Sequence, residues 1–106
     1  MSKGLGKTER MCLEVLKEYK MCDSIEIAGR ALGKYEVSNA EHTTFRRALN
    51  SLLRKAVVVN MSRSWHSNRC RWALPHEADA HLERVRKTFG QKEFIEWLGR
   101  IKRFDK

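Results

Sequence analysis

Three stretches carry residue types that could do chemistry. The first is Gly4-Leu5-Gly6-Lys7-Thr8, where glycines lead into Lys-Thr, as in loops whose backbone N–H groups wrap phosphate. The spacing fails: a P-loop needs another glycine five residues before the Gly that precedes Lys, and position 1 is Met. Thr8 reads instead as the N-cap of a helix. The second stretch sets His66 four residues from Cys70, with Cys12 and Cys22 elsewhere. A zinc site needs a second close pair, and none exists, so neither metal nor cofactor is expected. No Ser/His/Asp or Cys/His grouping sits with a supporting glycine motif, and the carboxylates fall mostly on outer helix faces beside Lys or Arg. The chain is expected not to be an enzyme.

The third stretch, SNAEHTTFRRALNSLLRKA over residues 38–56, has the chemistry of recognition rather than reaction. Ser38 followed by Glu41 has the form of a capping box and marks a helix start. At about 100° per residue, Phe45, Ala48, Leu49, Leu52 and Leu53 share one side. Thr43, Thr44, Arg47, Asn50, Ser51 and Arg54 share the other, with Arg46 at the margin. One side requires a core and the other requires water or a polyanion.

Composition supports the polyanion. Lys and Arg number 22 against 13 Asp and Glu, a net charge of +9. Residues 38–75 hold seven basic residues and one acid, or +6 of that total, whereas the region from Pro75 onward carries only +2. The three cysteines are odd in number and lack C-x-x-C spacing, which fits a reduced compartment. No run approaches the roughly 18 apolar residues of a membrane span, and no apolar leader opens the chain. A cytoplasmic, intracellular protein is expected, nucleoid-associated if bacterial or archaeal, with no membrane partner.

The elements that position this helix follow from periodicity. Residues 1–6 read as a loose arm, and a first helix spans about 7–20, with Met11, Cys12, Val15, Leu16 and Tyr19 in one stripe and Leu13 off it. Cys22 and Asp23 break the pattern. Asp23 or Ser24 caps a short second helix over 25–32, with Ile27, Ala28, Ala31 and Leu32 inward and Gly33 as its stop. After residue 56 the period changes: Val57 to Val59 are β-branched, residues 60–68 are polar, and Arg69 to Leu74 alternate. That predicts a β-hairpin with Cys70, Trp72 and Leu74 inward, Arg69, Arg71 and Ala73 outward, and a tip bearing Arg63, Trp65 and His66. Pro75 ends the strand, and His76 to Lys87 reads as a fourth helix, with Ala80, Leu82 and Val85 as its few apolar positions. A fifth, over 91–104, spaces Phe94, Trp97, Ile101 and Phe104 as a stripe that Ile95 and Leu98 widen, more apolar surface than a free terminal helix exposes. Two coverings compete: a second copy of the chain, or folding back onto the first helix over Leu13.

The order of helix, helix, polar-faced helix and two-stranded hairpin over residues 7–74 resembles the winged-helix DNA-binding domains of small transcription regulators. DSIEIAGRALG, SNAEHTTFRRALNSLLRKAVVV and RCRWALP carry the resemblance. It implies an α+β, mostly helical fold: a winged helix-turn-helix of three helices plus a two-stranded β-hairpin wing over 7–75, with a C-terminal helical extension over 76–106. The third helix would then enter the major groove of double-stranded DNA, with Asn39, Thr43, Thr44 and Arg47 toward base edges. Arg46, Asn50, Arg54 and Lys55 would meet the backbone, and helix starts near Thr8 and Ser24 could bind phosphates. Arg63, His66, Arg69 and Arg71 would contact DNA from the wing, with Trp65 either joining them or folding back over the core of its own domain. Phe94, Trp97, Leu98, Ile101 and Phe104 are the candidates for a homodimer contact. The expected function is sequence-specific binding as a small transcription regulator. The alternatives are a protein-interaction or assembly factor on the same scaffold, and a replication or partition accessory protein of a mobile element.

Overall fold

The computed structural model describes residues 5–63 and 70–104, with the side chains of Ser62 and Arg63 left out of the description. The chain is an α+β, mostly helical fold, and the described residues form five helices and a three-stranded antiparallel sheet. In order these are α1 (Lys7–Tyr19), β1 (Met21–Asp23), α2 (Ser24–Leu32), α3 (Asn39–Arg54), β2 (Val59–Arg63), β3 (Cys70–Ala73), α4 (Pro75–Phe89) and α5 (Gln91–Arg100).

Each helix start has a local cause. The N-cap of α1 is Gly6 rather than Thr8, because the Glu9 carboxylate reaches back to accept the Gly6 N–H at 2.8 Å. Leu5 packs against the core, so the ordered body begins before Lys7. Asp23 caps α2 by accepting the Glu26 N–H at 2.9 Å, and Glu26 accepts the Asp23 N–H at 3.3 Å. Gly33, in the left-handed region at φ 70°, ends α2. Pro75 occupies the first turn of α4, where its missing N–H has no helical partner to lose, and Gly90 at φ 97° separates α4 from α5.

Cys22 and Asp23, expected only to interrupt two helices, form with Met21 a strand on β3 in the register Met21↔Ala73, Cys22↔Trp72, Asp23↔Arg71. The sheet order is therefore β1-β3-β2, three strands rather than a two-stranded hairpin. β2 also lies further along than the valine run suggests. It begins at Val59 and takes in residues 60–63, since Val59 and Asn60 pair with Ala73 and Trp72 and a register irregularity follows before Arg63↔Cys70.

Both faces of the sheet are covered. Trp72 and Leu74 join the main core of Cys12, Leu16, Ile27, Phe45, Leu49 and Leu52 between α1, α2 and α3. Ala73, expected to face outward, is fully buried with Val59, Met61 and Ala78 in a second core beneath α4. Arg71 shares that face by strand alternation and is half-buried. Ala78, not Ala80, joins Leu82 and Val85 as the buried set of α4, and Leu32 is exposed at the end of α2.

The last helix stops at Arg100, so Ile101 and Phe104 are not on it. Ile101 turns extended and packs on the second core, and Lys102 bridges to β2, its N–H donating to Asn60 O at 2.8 Å and the Asn60 N–H to Lys102 O at 2.9 Å. The hairpin of α4 and α5 thus folds back on the β2 side rather than onto α1, and Leu13 is partly buried against the main core. No helix among the described residues is long and apolar enough to cross a membrane.

Candidate nucleic-acid interface

The polar face of α3 is displayed by packing on the opposite face. Phe45, Ala48, Leu49, Leu52 and Leu53 are all buried against α1 and α2, as their spacing requires. Asn39, Thr43, Arg47, Asn50 and Arg54 are all exposed. Their spacing of 4, 4, 3 and 4 keeps them within one narrow sector, opposite Phe45, as a ridge about 22 Å long. Arg46 is exposed on its flank.

Thr44 stands off the ridge. Its hydroxyl donates to the Ala40 carbonyl at 3.0 Å, and it lines a cleft of about 270 Å³ with Lys7, Thr8, Met11 and Leu32. Lys55 is also committed elsewhere. It caps the C-terminus of α3 and contacts both Glu9 carboxylate oxygens, at 2.9 and 3.1 Å.

The one acid of the segment is taken up within the protein. Glu41 accepts the Ser38 N–H at 3.0 Å while Ser38 Oγ accepts the Glu41 N–H at 3.1 Å, and Lys34 Nζ lies 2.5 Å from Glu41 Oε2. The Lys34 contact, then the Ser38 bond, hold this carboxyl below the usual carboxylate range. The ridge therefore presents arginines with no carboxylate among them.

Both ends of α3 are clamped. At the start, Ser24 Oγ and His42 Nε2 are 2.6 Å apart, with Ser24 buried at the head of α2. The turn between α2 and α3 is tight: Lys34 N donates to Gly29 O at 3.0 Å, and a Cβ on Gly29 would lie 2.9 Å from the Lys34 carbonyl oxygen. At the far end, Glu9 receives Lys55 and Ser51. Burial pushes the Glu9 carboxyl up, but bonds from Gly6, Lys55 and Ser51 outweigh it and leave it below its ordinary value. Ala56 adopts φ 62° to stop the helix, with Ala56 N donating to Leu53 O and Val57 N to Leu52 O, both at 3.0 Å. These clamps join residues 18 and 46 positions apart, and no local pattern announces them.

The other expected contacts sort differently. The starts of α1 and α2 are occupied by the protein's own carboxylates, Glu9 and Asp23, where an outside anion would have to sit. Arg71 is turned toward α4: its Nε is buried and has no hydrogen-bond partner among the described residues, as is also true of His81 Nε2. Burial first, then the charges of Arg84 and Arg71, lower the His81 value, and its ring meets Trp97 edge-on at 5.0 Å between centroids. Trp65, His66 and Arg69 lie outside the described residues, as does the side chain of Arg63. Among the described residues no group of His, Cys, Asp and Glu could hold a metal ion.

Comparison with known proteins adds no assignment: no family model, no curated protein and no solved structure matches this chain.

Proposed function

We propose that the protein binds double-stranded DNA in a sequence-specific manner, as a small regulator of winged-helix type, with α3 lying in the major groove and the β2–β3 hairpin beside it. The observation that carries this reading is the ridge of Asn39, Thr43, Arg47, Asn50 and Arg54, exposed along its whole length and free of carboxylates. Its length of about 22 Å and single-helix width suit a groove about 12 Å wide. Asn39, Thr43 and Arg47, in the N-terminal half, take the base-reading role, because a guanidinium fork can donate to both acceptors of a guanine edge and an amide can pair with adenine. Arg46, Asn50 and Arg54 take the backbone role.

The clamps support the same reading. A reader helix held at both ends loses little conformational freedom on binding, so more of its contact energy reaches affinity. Lys55, tied to Glu9, serves the orientation of α3 rather than a phosphate. The protein carries out no chemistry of its own in this account.

Fluorescence anisotropy with labelled random duplex, single-stranded DNA and RNA tests the proposal. Duplex is bound most tightly, and its affinity falls linearly with salt on a log–log plot with a slope of about −3 to −5, for a handful of neutralised phosphates. Absence of duplex binding at low salt, or equal preference for RNA, refutes it.

A further inference from the structure

Of the seven large apolar residues exposed among the described residues, four lie from α4 onward: Phe89, Ile95, Leu98 and Phe104. α5 divides its own apolar residues between two directions. Phe94 and Trp97 are half-buried, with Trp97 against His81 of α4. Ile95 and Leu98 are 57% and 45% exposed, and no residue of α5 is fully buried. The hydrophobic stripe is thus only half covered by the chain's own α4.

Charges around Ile95 indicate what covers the rest. Lys92 and Glu96 both lie to the same side of Ile95, roughly 60° and 100° around the helix. Neither makes an ion pair among the described residues. We infer that the outward face of α5 binds the same face of a second copy of this chain, with the two helices antiparallel about Ile95. A two-fold axis there keeps the Lys92 and Glu96 flanks on one side, so Lys92 of each copy comes within about 3 Å, along the helix axis, of Glu96 in the other. Parallel pairing would instead put the Lys92 and Glu96 flanks of the two copies on opposite sides of the contact, where neither meets the other. Gly99 lies on the same face, and a Cβ there would meet nothing within 4 Å, which leaves room for a close approach. The region from Pro75 onward carries only +2 of the chain's +9, so two copies meeting here repel least.

Sedimentation equilibrium of the full chain tests this without DNA. The expected result is a reversible monomer–dimer equilibrium above the 12.5 kDa of one chain. Leu98→Glu weakens it by at least about a hundredfold, since a carboxylate must then be buried in the apolar contact. Both exposed positions tolerate charge in the monomer, so circular dichroism of Leu98→Glu and Ile95→Glu shows an intact fold. Lys92→Glu weakens the dimer by about tenfold, and adding Glu96→Lys restores it. A single 12.5 kDa species at high micromolar concentration overturns the inference, as does a dimer indifferent to Leu98→Glu or a charge swap that fails to restore association.

Discussion

Replacing Glu9 with alanine removes the side-chain clamp at the far end of α3, leaving only its backbone bonds. The Gly6 N–H loses its acceptor at 2.8 Å, and that capping contact is worth about 1 kcal/mol. Lys55 loses contacts of 2.9 and 3.1 Å. A charge-assisted pair is worth about 1.5–3 kcal/mol when desolvated, but the Lys55 side chain is 43% exposed and regains water, so about 1 kcal/mol is the appropriate share. The loss totals about 2 kcal/mol, or roughly 8 °C in the melting temperature of a domain this size. Lys55→Met costs less, about 1 kcal/mol, because Glu9 keeps the Gly6 and Ser51 bonds. A double-mutant cycle measured by urea unfolding gives a coupling of about 1 kcal/mol between the two. The pH dependence has a definite sign. The folded Glu9 value lies below the ordinary 4.5, so its contribution is full above that value and disappears as pH falls through the lowered one. If Glu9→Ala melts within about 2 °C of the parent at neutral pH, or the cycle shows no coupling, the clamp has been misread.

Three further outcomes follow from the same geometry. The folded state keeps His81 neutral with its value lowered, while the unfolded chain takes up a proton near 6.5, so stability falls as pH drops below 6.5. His81→Phe removes that part of the slope, and urea melts showing the same slope in parent and variant contradict it. Burial pushes the thiols of Cys12 up to about 12 and Cys22 up to about 11, so alkylation at mildly alkaline pH modifies Cys70 first; rapid native labelling of all three would be inconsistent. Ala56→Gly raises stability by about 1 kcal/mol, because φ 62° is strained for alanine and free for glycine, and an unchanged or lowered melting temperature refutes the strain.

What was legible in the sequence was what local physics decides. The cap at Ser38 and the five buried residues of α3 follow from hydrogen bonds and side chains within a few turns, and the structure has them as the periodicity requires. β1 was not legible, since Met21 to Asp23 have no strand signal and pair with β3 some fifty residues later. The same holds for Met61, which sits in a polar run yet is fully buried beneath α4. Alternation places Arg71 and Ala73 on one face, but whether another element covers that face is decided only when α4 packs there. The apolar spacing continued to Phe104, whereas the helix ends at Arg100 because Asn60 offers Lys102 a backbone partner across the fold. Of the site, the ridge was readable and its clamps were not, for Glu9–Lys55 and Ser24–His42 exist only once α1, α2 and α3 are packed.

The central claim is that the α3 ridge reads a DNA sequence, and the most direct test is the effect of Arg47→Ala on two duplexes. One is the best site selected from a random library, and the other is a random duplex of equal length. The variant should lose about 1–3 kcal/mol on the selected site and little on the random one, while Arg54→Ala weakens both alike. Equal losses on both duplexes for Arg47→Ala contradict base reading by α3.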